Sequence, residues 1–175
     1  MQRLLFFIFA LITTAAQCQL VSDSVLIEGH YRTFHFLKPA QSHASLLFVL
    51  HGSGGNGRSH RNGAQKLEAI APSENILMVY PDGYKNYWNE CRKTAQSAAN
   101  REDINENAFF GQMITYFEQK YGIDSKKVFA VGTSGGGHMA YKLAVTMPEK
   151  LRAITALIAN LPDTNNMDCA EKRMA

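Results

Sequence analysis

Apolar positions along the chain fall into two rhythms, short blocks and longer stretches with helical spacing, and the two alternate. Val25 to Glu28 and Tyr31 to Leu37 are strand-like, are joined through Gly29-His30 and end at Pro39, which predicts an antiparallel entry pair. Leu46 to Leu50 is a continuous apolar run of the kind buried on both faces of a parallel sheet, and it ends in His51-Gly52. Ala64 to Ile70 has helical spacing and stops before Pro72; Ile76 to Tyr80 is the next strand, closed by Pro81-Asp82-Gly83. The polar stretch Gly83 to Asn100 reads as a long surface loop around the sole tryptophan, Trp88. Asp103 with Glu106 resembles a capping box, and Ile104, Ala108, Gly111, Ile114, Phe117 and Tyr121 then recur at helical spacing until Gly122. The apolar run Val128, Phe129, Ala130 predicts a strand, Gly136 to Thr146 a helix ending before Pro148, and Ala153 to Ala159 a last strand.

Strands alternating with crossover helices give an α/β domain with a mostly parallel sheet and helices on both faces. Ligands gather at the carboxyl ends of such strands, so His51 to Gly57, Asp82 to Cys91, Ser134 and Asn160 to Cys169 are expected on one face.

Composition narrows the class. The 175 residues are 46% hydrophobic, enough for one domain with a core, and no Lys/Arg run concentrates the net charge of +3 into a nucleic-acid footprint. Residues 1–16 read as a signal peptide: Arg3, the apolar stretch Leu4 to Ile12, and a small-residue cleavage site at Thr14-Ala15-Ala16. The apolar stretch falls short of the ~20 residues of a spanning helix, and Gln17 before Cys18 fits a lipoprotein signal poorly. Residues 17–175 are then a secreted domain, extracellular or periplasmic, without stable membrane insertion. Cys91 and Cys169, in loops on the same face, are candidates to pair. No short cysteine spacing suggests a metal site.

Gly132-Thr133-Ser134-Gly135-Gly136 fits G-x-S-x-G between a strand and a helix, the context of a nucleophile elbow. Ser134 is the candidate nucleophile. The backbone N–H groups of Ser53, in the His-Gly turn, and of Gly135 are the candidate oxyanion donors. Gly52-Ser53-Gly54-Gly55-Asn56-Gly57 also contains G-x-G-x-x-G, which on its own suggests a dinucleotide site with Asp82 as ribose acid, but an antiparallel pair precedes it and an elbow follows. His51 and His138 are the histidines near the site in sequence. His51 is placed in the oxyanion turn, ordering that loop beside the substrate, rather than as base. Trp88 either lines a substrate pocket or pins the long loop to the core.

With Leu50 to Gly57, Tyr80 to Gly83, Trp88-Asn89, Gly132 to Ala140 and Ala159-Asn160 in this order, the chain resembles the secreted polyhydroxybutyrate depolymerase-like esterases, which are similar to feruloyl and acetylxylan esterases of the α/β-hydrolase superfamily. The resemblance implies a cofactor-free serine esterase acting on a polyester or plant cell-wall ester through an acyl-enzyme. It also implies a further acid and histidine on later strands. No histidine follows His138, so the expectation is an α/β-hydrolase domain truncated after the strand that follows the nucleophile helix, feebly active at best. The rival expectation is a noncatalytic remnant that keeps a carbohydrate- or polyester-binding face.

Overall fold

The computed structural model describes residues 19–39 and 41–169; the signal-peptide expectation for 1–16 lies outside them. Strands β1 (Leu20–Ile27) and β2 (His30–Leu37) form an antiparallel pair with Ile27 opposite His30. Glu28 and Gly29 both take positive φ, 47° and 85°, the requirement of a two-residue turn whose twist matches the strands.

Strand β3 (Ser45–Leu50) leads into helix α1 (Gly57–His60), a 3₁₀ turn (Arg61–Gly63) and helix α2 (Gln65–Ile70). Strand β4 (Ile76–Pro81) follows, then helices α3 (Ala98–Arg101) and α4 (Glu106–Tyr121), strand β5 (Val128–Thr133), helix α5 (Gly135–Thr146) and strand β6 (Ala153–Leu157). The strands order as β1-β2-β4-β3-β5-β6, with β3, β4, β5 and β6 parallel. This is the expected α/β-hydrolase architecture.

Alternation along β3 divides the core between two faces. Leu46, Phe48 and Leu50 join Phe109, Phe110, Met113 and Phe117 of α4 and Met139 and Leu143 of α5 on one face. Val49 joins Met78, Tyr80 and Ala64 and Ala71, which flank α2, on the other. Burying each such side chain contributes about 1.5–3 kcal/mol, so the continuous apolar runs hold the helices to both faces.

Two expectations need correction. Asp103 does not cap α4: the Asn105 side chain accepts the Ala108 N–H at 3.0 Å and is the cap. Glu106 is instead buried against Arg32 (2.9 Å), because a buried guanidinium requires a carboxylate more than a helix end requires a reciprocal cap. Nor is Gly83 to Asn100 a surface loop throughout, since Trp88, Asn89, Glu90 and Cys91 are all buried. Asn89 is the reason. Its N–H donates to Glu106 Oε1 (3.1 Å), its carbonyl accepts from Lys142 Nζ (2.6 Å), and its side chain bonds Asp103, Ile104 and Asn100.

Cys91 and Cys169 form the expected disulfide, with Cα atoms 5.1 Å apart. Lys93 N–H to the Asn166 carbonyl (3.0 Å) and Asp168 N–H to the Cys91 carbonyl (3.1 Å) extend this tie into a short ladder.

Candidate active site

Three parallel strands end side by side, and the turns after β3, β4 and β5 make the site. Between β5 and α5, Ser134 stands alone at the corner with φ 53° and ψ −117°. A residue with a side chain rarely adopts positive φ, so the surroundings must hold it there. They do so through its N–H, which donates to the Leu157 carbonyl (2.8 Å), and its carbonyl, which accepts the His138 N–H (3.0 Å). The glycines make the approach possible. A Cβ on Gly132 would overlap the Gly136 carbonyl, and one on Gly136 would lie 2.7 Å from the His51 carbonyl oxygen. Ser134 is exposed among these buried neighbours.

The turn after β3 lies against the elbow. A Cβ on Gly52 would be 3.6 Å from Ser134 Cβ, and one on Gly135 would be 3.0 Å from the Ser53 nitrogen. Ser53, Ser134 and Gly135 are thus brought together, with the amide of Ser53 beside the first residue of α5. A helix N-terminus adds its own unpaired N–H groups and partial positive charge at that point.

The His51 imidazole has zero exposure. Its Nδ1–H donates to the Gly52 carbonyl (2.7 Å) and its Nε2 accepts the Gly83 N–H (2.9 Å), which fixes the neutral tautomer. Burial lowers its pKa despite the Gly52 carbonyl and the nearby Asp82 carboxylate. Placing His51 against substrate is therefore corrected: both nitrogens are committed within the chain, and the ring positions the loop from beneath. Trp88 stacks on it with centroids 4.7 Å apart and donates its Nε1–H to the His51 carbonyl (2.9 Å). At 3% exposure the indole pins the loop and offers a substrate little more than an edge.

Asp82 contributes more than a turn. Its Oδ1 accepts the Gly57 N–H at 2.7 Å and its Oδ2 meets His35 Nε2 at 3.3 Å. Burial pushes its carboxyl up, but the His35 and Gly57 hydrogen bonds outweigh that and hold it below the usual range. These bonds occupy the carboxylate that a dinucleotide reading would give to a ribose. The Pro81-Asp82-Gly83 turn therefore anchors both ends of the glycine loop, His51 through Gly83 and Gly57 through Asp82. A turn triplet at the same sheet end was the available sequence signal for this role.

His138 lies one turn along α5 from Ser134, buried, with Nδ1 unpartnered. Burial and the charge of Arg92 lower its pKa, opposed by Glu90 and the Asn160 carbonyl. Among the described residues no imidazole hydrogen-bonds the Ser134 side chain, and no group of three His, Cys, Asp or Glu is arranged to hold a metal ion.

A cavity of about 500 Å³ opens beside Ser53 and Gly135. Trp88, Glu90, Arg92 and residues 95–98 with Arg101 form its other walls. Glu90, Arg92 and Arg101 went unassigned in the sequence because their surroundings depend on the buried path of the Asn89 segment.

The family model described as phospholipase/carboxylesterase matches residues 33–175, and the chain belongs to this family. An acetylxylan esterase of Coprinopsis cinerea is 27% identical over 111 residues, covering 62% of this chain and 29% of its own length. A probable feruloyl esterase C of Aspergillus flavus is 34% identical over 117 residues, covering 64% of this chain and 39% of its own. The chain spans less than half the length of these curated relatives. Among solved structures, a substrate-bound fluorophosphonate-binding serine hydrolase of Staphylococcus aureus superposes with a TM-score of 0.62 at 17% identity, over 81% of this chain and 57% of that one. This likeness shows the fold. No helix among the described residues is long and apolar enough to cross a membrane.

Proposed function

We propose that this member of the phospholipase/carboxylesterase family is an exported serine ester hydrolase of the polyhydroxybutyrate depolymerase-like type. Ser134 Oγ attacks the ester carbonyl carbon, the backbone N–H groups of Ser53 and Gly135 receive the developing oxyanion, and the alcohol leaves with a proton. Water then releases the acyl group from Ser134. Loss of one oxyanion donor typically costs ~10²–10³ in rate, so the amide pair is the larger share of what these residues offer.

The observation that supports the reading best is Ser134 itself: exposed, at positive φ, with the Ser53 amide beside Gly135. His51 has both ring nitrogens engaged, so its imidazole is not free to act as the base for Ser134. Removing triad members leaves ~10³–10⁴-fold catalysis over water in a related constellation, and feeble turnover of activated esters is expected of this chain. Export rests on the pattern of residues 1–16 and on the Cys91–Cys169 bond, which persists in oxidising compartments. The acetylxylan and feruloyl esterase names of the relatives favour acylated plant polysaccharide as the second reading.

The test is labelling with a neutral fluorophosphonate and hydrolysis of nitrophenyl butyrate, by the parent and by Ser134→Ala. Labelling and residual hydrolysis that both vanish in the variant support the esterase. A parent that takes no label, yet binds polyester or xylan, identifies a noncatalytic binding protein instead.

A further inference from the structure

The cavity beside Ser53 and Gly135 has an unbalanced charge pattern. Lys85, Arg92 and Arg101 line it against a single acid, Glu90. That acid faces inward: its side chain is 4% exposed, and its two oxygens accept the Arg92 N–H at 2.8 Å and Arg92 Nε at 2.7 Å. The cations face outward. Arg92 keeps 39% of its side chain exposed while only Nε is bonded among the described residues, which leaves its two terminal amino groups as donors. Arg101 is exposed and bonds the Gln96 carbonyl through Nη1, with no acidic partner among the described residues. Lys85 differs, because Glu102 holds its ammonium at 2.7 Å. It is a weaker contributor.

We propose that this cavity binds a carboxylate carried by the ester substrate, away from the scissile bond, through Arg92 and Arg101. The inference rests on the esterase reading of Ser134 and narrows its substrate class to half-esters and acid-bearing esters. The physical grounds are the guanidinium geometry and the lining. A planar guanidinium with free terminal amino groups matches a carboxylate with two parallel hydrogen bonds, which a hydroxyl-rich neutral sugar cannot return. The inward-turned Glu90 neither competes for those donors nor repels the ligand at the mouth; it fixes Arg92 from behind. Trp88, almost wholly covered, gives an aromatic acyl group no open face to stack on, so charge rather than ring stacking distinguishes the site.

Trp88 is the sole tryptophan and lines the cavity, so its emission reports occupancy in the protein as it stands. Monomethyl succinate and dimethyl succinate, which do not absorb in its range, are the probes. The monoanion is expected to bind at least about tenfold more tightly at about 0.01 M ionic strength, and this preference should collapse near 1 M, where the screening length falls to ~3 Å. Arg101→Gln, an exposed change that leaves no buried acid unpaired, should reduce the preference several-fold. Arg92→Gln should reduce it further. Equal affinities for the two probes, a preference unchanged in both variants, or no saturable response to the monoester would each overturn the proposal. Fluorophosphonate labelling of Ser134 is read separately: labelling without charge preference removes this inference alone, and charge preference without labelling removes the esterase reading instead.

Discussion

The imidazole of His51 accepts the backbone N–H of Gly83 at 2.9 Å, so the end of β3 is tied to the turn after its parallel neighbour β4 through a side chain with no exposure to solvent. The same ring donates to the Gly52 carbonyl, which makes it the underside of the turn that presents Ser53. His51→Phe keeps a ring of similar shape against Trp88 but leaves an N–H and a carbonyl without their partner. At ~1–3 kcal/mol for each buried group left unpaired, the variant should lose about 2–6 kcal/mol. Urea denaturation measures this as a lower midpoint at constant slope; an unchanged midpoint would mean that water replaces both bonds.

The pH dependence follows from three histidines. Burial lowers the pKa of His51, His60 and His138 below 6.5, so the folded chain binds fewer protons than the unfolded chain once the pH falls past that value. The stability they contribute is fully present above pH 6.5 and is lost as the pH falls through it towards their folded values. Thermal midpoints should therefore decline from about pH 7.5 to about pH 5, and His51→Phe should decline less steeply because it removes one of the three. A flat profile across that interval would contradict the assignment of neutral buried imidazoles.

Fold and site were legible in the sequence to different degrees, for physical reasons. Leu46 to Leu50 and the run into Ser134 announce themselves because a strand buried on both faces must be continuously apolar, and an elbow must have small residues around its serine. The disulfide was legible because loops at one end of a parallel sheet share a face. The path of Trp88 to Cys91 was not. What buries it is Lys142, distant in the chain by 53 residues, with Glu106 and its partner Arg32, and none of these leaves a local trace in a polar stretch. The same distance dependence hid the cap, since Glu106 reads as an N-terminal acid until the buried Arg32 is known.

Asp82 supplies an acceptor for Gly57, and that can be separated from its charge. Asp82→Asn retains an oxygen for the Gly57 N–H, whereas Asp82→Ala leaves that buried donor without a partner, at a cost of ~1–3 kcal/mol. Amide hydrogen exchange at Gly57 should accelerate strongly in Asp82→Ala and little in Asp82→Asn. Equal acceleration in both would show that the carboxylate charge, through His35, is the part that orders the loop.

Reducing the Cys91–Cys169 bond frees the ladder that ties Lys93 to Asn166 and releases the segment bearing Glu90 and Arg92. A bond spanning 78 residues should contribute about 2–4 kcal/mol, chiefly by restricting the unfolded chain. A Cys91→Ala, Cys169→Ala double variant should lower the thermal midpoint and weaken monomethyl succinate binding together. A lower midpoint with unchanged binding would show that the cavity wall stands without the covalent tie.

Two glycines of the elbow should fail in different ways when given a methyl group. At Gly132 the added Cβ would meet the backbone of Gly136 and Gly137, which cannot move without separating β5 from α5, so Gly132→Ala should be poorly folded. At Gly135 the Cβ would meet Ser53 instead, overlapping its Oγ and lying 3.0 Å from its nitrogen and 3.4 Å from its Cα, and Ser53 sits in a turn that can shift. Gly135→Ala should therefore stay folded while its Ser53 amide is displaced from the place where an oxyanion would form. Since removal of one such donor costs ~10²–10³ in rate, labelling of Ser134 by a fluorophosphonate should slow by about that factor. Circular dichroism and labelling kinetics on both variants check the contrast. A folded Gly135→Ala protein that labels at the parent rate would show that the Ser53 amide takes no part in stabilising the transition state.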